Sequence, residues 1–273
     1  MNISDARNTG LIGRVMIGAS ARLNYQWALR QPGKPPYVIL TEFPRSGGNW
    51  IRDAIGDAVQ FPVPRFSRYP ITFKSIVHSH DHRPTMHPTL YVIRDPRDVF
   101  VSHFHKTANA FISGKPSLQR RILRLHPSFK RHWANIDKMD LMTEQYYKEW
   151  LKRPLGSRVG WGKHATAFLQ HKGDNVTIIR YEDMKRDAVN TLSTAVLSLT
   201  GYEVDPKVIE FSIMRNTFES QTGRKTGEKS NKSTKRRGIV GSWRDELPKV
   251  ILDHILKDLR DEMAMAGYTN HDK

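Results

Sequence analysis

Short apolar runs alternate with stretches of helical spacing along most of this chain. Tyr37-Val38-Ile39-Leu40, Thr89-Leu90-Tyr91-Val92-Ile93 and Asn175-Val176-Thr177-Ile178-Ile179 have the length and β-branching of strands buried on both faces. A shorter run, Ile76-Val77, leads into His78-Ser79-His80-Asp81-His82. After the first strand, Trp50, Ile51, Ala54, Ile55 and Ala58 fall on one helical stripe. After the third, Asp95 is placed to cap a helix whose first residue is Pro96. Residues 107–160 read as a helical insertion, 189–199 as a helix stopped by Gly201, and 248–265 as one amphipathic helix with Ile251, Ile255, Leu259 and Met263 on its apolar face. This order predicts an α/β fold: a single domain, residues 37–273, with a central parallel sheet flanked by helices. Residues 1–36 precede it as an amphipathic helix and a linker, Gln31 to Pro36. Ile12, Met16, Ala19, Leu23 and Trp27 form the apolar face of that helix, expected to pack on the domain, with contact to a membrane surface as the lesser option.

In such a sheet, ligands collect at the carboxyl ends of the strands, and there the sequence places its chemistry. The first strand breaks into Pro44-Arg45-Ser46-Gly47-Gly48-Asn49 before the helix begins. Free N–H groups at a helix start favour an anion, glycines let the backbone approach it, and Arg45 adds a two-pronged donor. No Lys-Ser or Lys-Thr follows Gly48, so this is not the loop of a nucleoside triphosphatase.

Charge narrows the partners. With 44 Lys and Arg against 27 Asp and Glu, the formal net charge is +17, which attracts polyanions: nucleic acid, anionic lipid, acidic glycan or a multiply charged cofactor. No nucleic-acid-binding signature accompanies it, so no specific nucleic acid is expected. Residues 219–238 hold no aliphatic or aromatic side chain and seven Lys or Arg among Arg224, Lys225, Lys229, Lys232, Lys235, Arg236 and Arg237, the composition of a basic loop. Cysteine is absent, which fits a reducing, cytoplasmic location, and no run of 18 apolar residues is present to span a membrane.

Four segments, in order, resemble one family, the sulfotransferases that use 3′-phosphoadenosine 5′-phosphosulfate (PAPS). TEFPRSGGNW at 41–50 is similar to the family's TYPKSGTTW, and YVIRDPRDVFVSHFH at 91–105 to YVxRNPKDVxVSxxH. IIRYEDM at 178–184 is similar to FLxYEDM, and RRGIVGSW at 236–243 to RKGxxGDW. The resemblance implies a P-loop-like nucleotide-binding core with PAPS as sulfuryl donor and no metal. It implies that Arg45, Ser46, Gly47, Gly48 and Asn49 hold the phosphosulfate, with Trp50 beside the adenine. It assigns Arg94 and Ser102 to the 3′-phosphate, Tyr181 and Phe218 to the adenine, and Arg236, Arg237 and Gly238 to completing the phosphate clamp. The basic loop would then close over the cofactor. KSIVHSHDH resembles the family's KTH segment, which makes His80 the general base and puts His78 where the family has lysine. Arg45 replaces the loop lysine and would act on charge at the leaving oxygen. Ser242 stands in place of an aspartate. The implied acceptor is a small molecule (phenol or alcohol), a glycan, a lipid headgroup or a peptide tyrosine.

Two other readings arise from the same residues. His78, His80 and His82 alternate in an extended strand and suggest a metal-dependent hydrolase, and the charge of +17 suggests a basic nucleic-acid-binding protein.

Overall fold

The computed structural model describes residues 37–64, 75–132, 138–173, 175–217 and 238–269, together with 19, 23, 25–27, 29, 30, 219, 220, 223 and 225. Four parallel strands form its sheet: β1 (Tyr37–Glu42), β2 (Ser75–Ser79), β3 (Thr89–Ile93) and β4 (Val176–Arg180), in the order β2-β1-β3-β4. With β1 central, the loop that leaves it is flanked by the ends of β2 and β3. The register sets Thr41 beside Ser79 and Glu42 beside Val92, so the three strands finish at one level.

Alternate side chains feed two cores, the reason the strands read as unbroken apolar runs. Val38, Leu40, Leu90 and Val92 meet an aliphatic layer from α1 (Gly48–Val59), α7 (Ala188–Thr200) and α8 (Pro206–Arg215). Tyr91, Ile93 and Phe43 meet an aromatic layer on the other face. That layer is built by α2 (Pro96–Ser113), α3 (Pro116–Leu125), α4 (Glu144–Lys152), α5 (Trp161–Leu169), α9 (Lys249–Asp258) and α10 (Arg260–Met265). The short α6 (Tyr181–Arg186) continues directly from β4. In the aromatic layer Trp150, Trp161, Phe100 and Phe104 are fully buried, and Phe100 meets Trp150 edge to face with ring centres 5.2 Å apart.

Three expectations change. The helix expected over 248–265 is two, α9 and α10, broken where Leu259 leaves helical geometry (φ −118°); Ile251, Ile255, Leu259 and Met263 are nonetheless all buried, so the apolar stripe survives the bend. In the N-terminal helix the described part of the apolar stripe does not pack on the domain: Leu23 is 70% and Trp27 43% exposed. Tyr25, off that stripe, is half-buried against Ile39 and Val77 instead. Ile12 and Met16 lie outside the described residues. Finally, β2 stops at Ser79 rather than extending through His82. Among the described residues no helix is long and apolar enough to cross a membrane.

Candidate active site

The turn after β1 closes on itself: Ser46 N–H donates to the Phe43 carbonyl (3.1 Å) and Trp50 N–H to that of Gly47 (3.1 Å). Holding it requires left-handed backbone at Gly47 (φ 94°) and, unusually for a residue with a side chain, at Arg45 (φ 85°). Gly47 is needed twice over, because a Cβ there would lie 2.5 Å from the Tyr181 ring. Arg45 directs its Nε–H to Ser102 Oγ, 3.1 Å away on the first turns of α2. This bond joins the first anion segment to the second.

The second segment starts α2. Asp95 caps it by accepting Arg97 N–H (2.8 Å). The fully buried Arg97 grips Asp95 with its guanidinium (2.7 Å) and lies over the Trp243 ring (4.4 Å), a structural cation. Arg94 points the other way. Its Nη2 donates to Asp98 (3.2 Å) and to the Ile239 carbonyl (2.9 Å), and its guanidinium lies over the Tyr181 ring (4.4 Å). Burial opposes its charge, yet Asp98, Tyr181 and Glu182 outweigh that and raise its pKa further. Asp98, fully buried, also accepts Gly241 N–H (2.8 Å), the Ser242 hydroxyl (3.0 Å) and Trp243 N–H (3.1 Å). It thereby docks residues 239–243 on α2. At 242, where the family has aspartate, the hydroxyl is one of the donors that Asp98 accepts.

β4 delivers Tyr181 beneath both segments. Its ring meets Trp50 edge to face (5.9 Å between centres). Lys185, one turn further on, sits over Trp50 (5.3 Å) and was not foreseen from the sequence. Ser46 Oγ, Trp50 Nε1 and Arg94 Nε are buried and have no hydrogen-bond partner among the described residues. A hydroxyl, an indole N–H and a guanidinium N–H left over around an anion loop fit a phosphorylated, aromatic ligand. Gly238 is described, in left-handed backbone (φ 69°), ahead of the docked strip; Phe218, Arg236 and Arg237 lie outside the described residues, as does most of the basic loop.

His80 lies just past the end of β2 and is exposed. Its Nδ1 is 3.0 Å from the Glu42 carbonyl, an acceptor only, so the proton resides on Nδ1 and Nε2 presents a lone pair. His78 is half-buried below it, the two rings edge to face at 4.9 Å. His82 is not part of this group and pairs with Asp81 at 3.6 Å. The expected three-histidine face therefore does not form, because Asp81 N–H turns back to Ser79 Oγ (2.9 Å) and the Asp81 carbonyl accepts the Thr41 hydroxyl (3.0 Å). Glu42 takes the third place: its carboxylate and the rings of His78 and His80 offer donor atoms within 4.8 Å of one another. The donor set is metal-like but its surroundings are not. Arg52 Nη1 faces His78 Nδ1 at 3.3 Å and can only donate, which leaves the His78 hydrogen on Nε2, towards Glu42. A metal-bound histidine needs an acceptor behind it.

Fold and site together define an α/β protein with two adjacent strand-to-helix junctions that carry buried donors unpartnered among the described residues, and an exposed histidine at the end of the neighbouring edge strand. The sulfotransferase domain family matches residues 87–267, and the chain belongs to this family. The match holds the Arg94, Ser102, Tyr181 and Gly238 positions; the loop at 45–50 and His80 precede it. Sulfotransferase 2A1 of Rattus norvegicus is 23% identical over 188 residues, 64% of this chain and 56% of that protein, so the chain spans little more than half of that relative's length. The 3-alpha-hydroxysteroid sulfotransferase of Cavia porcellus is 24% identical over 259 residues, 85% of this chain and 84% of that one. Among solved structures, mouse sulfotransferase SULT7A1 complexed with PAP superposes with a TM-score of 0.64 at 16% identity, over 93% of this chain and 94% of that one. Retinol dehydratase in complex with androsterone and inactive cofactor PAP gives 0.59 at 17% identity, over 90% and 85%. These likenesses carry the fold.

Proposed function

We propose that this protein transfers a sulfuryl group from PAPS to a hydroxyl or amine of an acceptor, by in-line displacement and without a metal. One observation carries the reading: the 3.1 Å bond from Arg45 to Ser102 brings both anion segments to one place, at the strand edge where His80 stands exposed. The buried, unpartnered N–H and O–H groups of Ser46, Trp50 and Arg94 suit the phosphates and base of such a donor, and two of the related structures are named as complexes with PAP.

When bound, PAPS supplies a sulfuryl group whose bond to the phosphate oxygen breaks as the acceptor oxygen bonds sulfur, leaving 3′-phosphoadenosine 5′-phosphate (PAP). His80 Nε2 takes the acceptor's proton, its other nitrogen held by the Glu42 carbonyl. Arg45 and the backbone N–H groups of Gly47 and Asn49 stabilise the charge left on the departing phosphate, those of Ser46 and Gly48 being spent on Phe43 and Glu42. Arg94, above Tyr181, serves the 3′-phosphate side, with Phe218, Arg236, Arg237 and Gly238 completing it. The acceptor is a small molecule or a glycan; the hydroxysteroid sulfotransferase among the relatives makes small alcohols the first to test.

Labelled PAPS offered with pooled phenols, alcohols, steroids and glycans tests the activity directly. With an acceptor found, His80→Ala should lower turnover by about 10²–10⁴ and leave PAP affinity intact, while His82→Ala stays close to the parent. An active His80→Ala beside an inactive His82→Ala would overturn the assignment.

A further inference from the structure

A carboxylate buried beneath an anion-binding loop needs a reason, since it repels the ligand the loop is built to hold. Glu42, the last residue of β1, is 3% exposed. Its Oε2 accepts Gly48 N–H at 2.5 Å, a donor inside the loop itself. Its Oε1 lies 3.3 Å from His78 Nε2. Behind His78, Arg52 donates to Nδ1 (3.3 Å) and to Asn49 Oδ1 (2.9 Å). The path Gly48, Glu42, His78, Arg52, Asn49 thus leaves the loop and returns to it through buried polar groups. Gly48 is matched to this arrangement: a Cβ there would come within 2.6–2.9 Å of the carboxylate.

The same residue reaches the base. Its carbonyl holds His80 Nδ1 at 3.0 Å, and its carboxylate lies within 4.8 Å of a His80 ring nitrogen. When His80 accepts the acceptor's proton it becomes an imidazolium, and the buried Glu42 carboxylate is the negative charge set beside it. Burial pushes the Glu42 pKa up, but His78, His80 and Gly48 N–H together bring it below the ordinary carboxylate value, so that charge is in place.

The geometry points to Glu42 as a positioning residue for sulfuryl transfer, its buried carboxylate stabilising the imidazolium that forms on His80 while anchoring the anion loop through Gly48. The inference rests on His80 being the general base.

A merely structural carboxylate and this one differ in a measurable way. Glu42→Gln removes the charge and keeps the size. It should lower kcat about 10- to 100-fold, because the imidazolium loses its counter-charge. PAP binding should hold or tighten, because a negative charge has left the floor of the anion loop. Glu42→Asp retains the charge and should keep kcat within about tenfold of the parent. Wild-type kcat in Glu42→Gln, or a parallel loss of kcat and PAP affinity in both variants, would overturn the inference. His80→Ala belongs in the same series. If it is inactive while Glu42→Gln is fully active, only the role of Glu42 fails; if it is active, the base assignment fails and this inference with it.

Discussion

The two segments proposed to hold the donor's anionic groups are built in different ways. The loop at 45–50 keeps donors open: Ser46 Oγ and Trp50 Nε1 are buried without partners among the described residues. The segment at 94–102 pairs its charges internally, Arg94 Nε and Arg97 Nη1 being the buried donors it leaves over among the described residues. Asp98 receives Arg94, Gly241, Ser242 and Trp243, and Asp95 receives Arg97. The first is a site held by backbone geometry; the second is a clamp held by buried ion pairs, and it ties residues 239–243 to the helix that carries Ser102. A loop whose donors are all satisfied has nothing to offer an anion, whereas a clamp with open charges would not stay docked.

The sharpest way to break this contrast is Asp98→Ala. Arg94 would lose its partner and residues 241–243 their acceptor, at a cost of about 3–5 kcal/mol, read as a lower denaturation midpoint together with faster proteolysis beyond residue 238. An unchanged midpoint would mean that the clamp is held by other contacts. Next comes Arg94→Ala, expected to weaken PAP binding by about 1.5–3 kcal/mol. Affinity for adenosine 5′-phosphate should change far less, so calorimetry with both nucleotides checks the 3′-phosphate assignment. No preference for PAP in the parent protein would refute it.

A smaller effect separates the segments by pH. Glu42 under the loop has a folded pKa below the carboxylate reference of 4.5, its burial overcome by His78, His80 and Gly48. Its contribution to stability is therefore present above pH 4.5 and lost as pH falls through the folded value. Around the clamp, burial raises Asp95 and Glu182; their contribution is full below their unfolded values and lost as pH rises through the folded ones. Denaturant midpoints between pH 3 and 7 should show the parent's advantage over Glu42→Gln shrinking towards acid and its advantage over Glu182→Gln growing. The same direction for both would erase the distinction.

Much of this was legible in the residues. Apolar runs ending in glycine or Asp-Pro mark the strands and the starts of α1 and α2, because backbone and burial constraints there are local. Arg45, Arg94 and Tyr181 converge as their positions just past strand ends require, and Ser102 meets Arg45 from α2. What escaped depends on contacts distant in sequence. Glu42 reads as an ordinary polar end to a strand until Gly48 and His78 close around it. Asp98 reads as a favourable charge in the first turn of a helix, yet three of its partners lie 143 to 145 residues on. The apolar stripe of the N-terminal helix is clear in the sequence, but periodicity says which residues share a face and not whether the domain covers it: Leu23 and Trp27 stay exposed while Tyr25 packs.

The left-handed backbone at Arg45 carries a consequence for engineering. A residue with a Cβ held there costs about 1–3 kcal/mol, and glycine would relieve it. The protein thus holds Arg45, the cation proposed to act on the leaving phosphate, in a conformation that works against its own melting temperature. Arg45→Gly should give a protein that melts higher and no longer turns over, and any screen that selects for thermal stability alone will tend to lose the enzyme at this position.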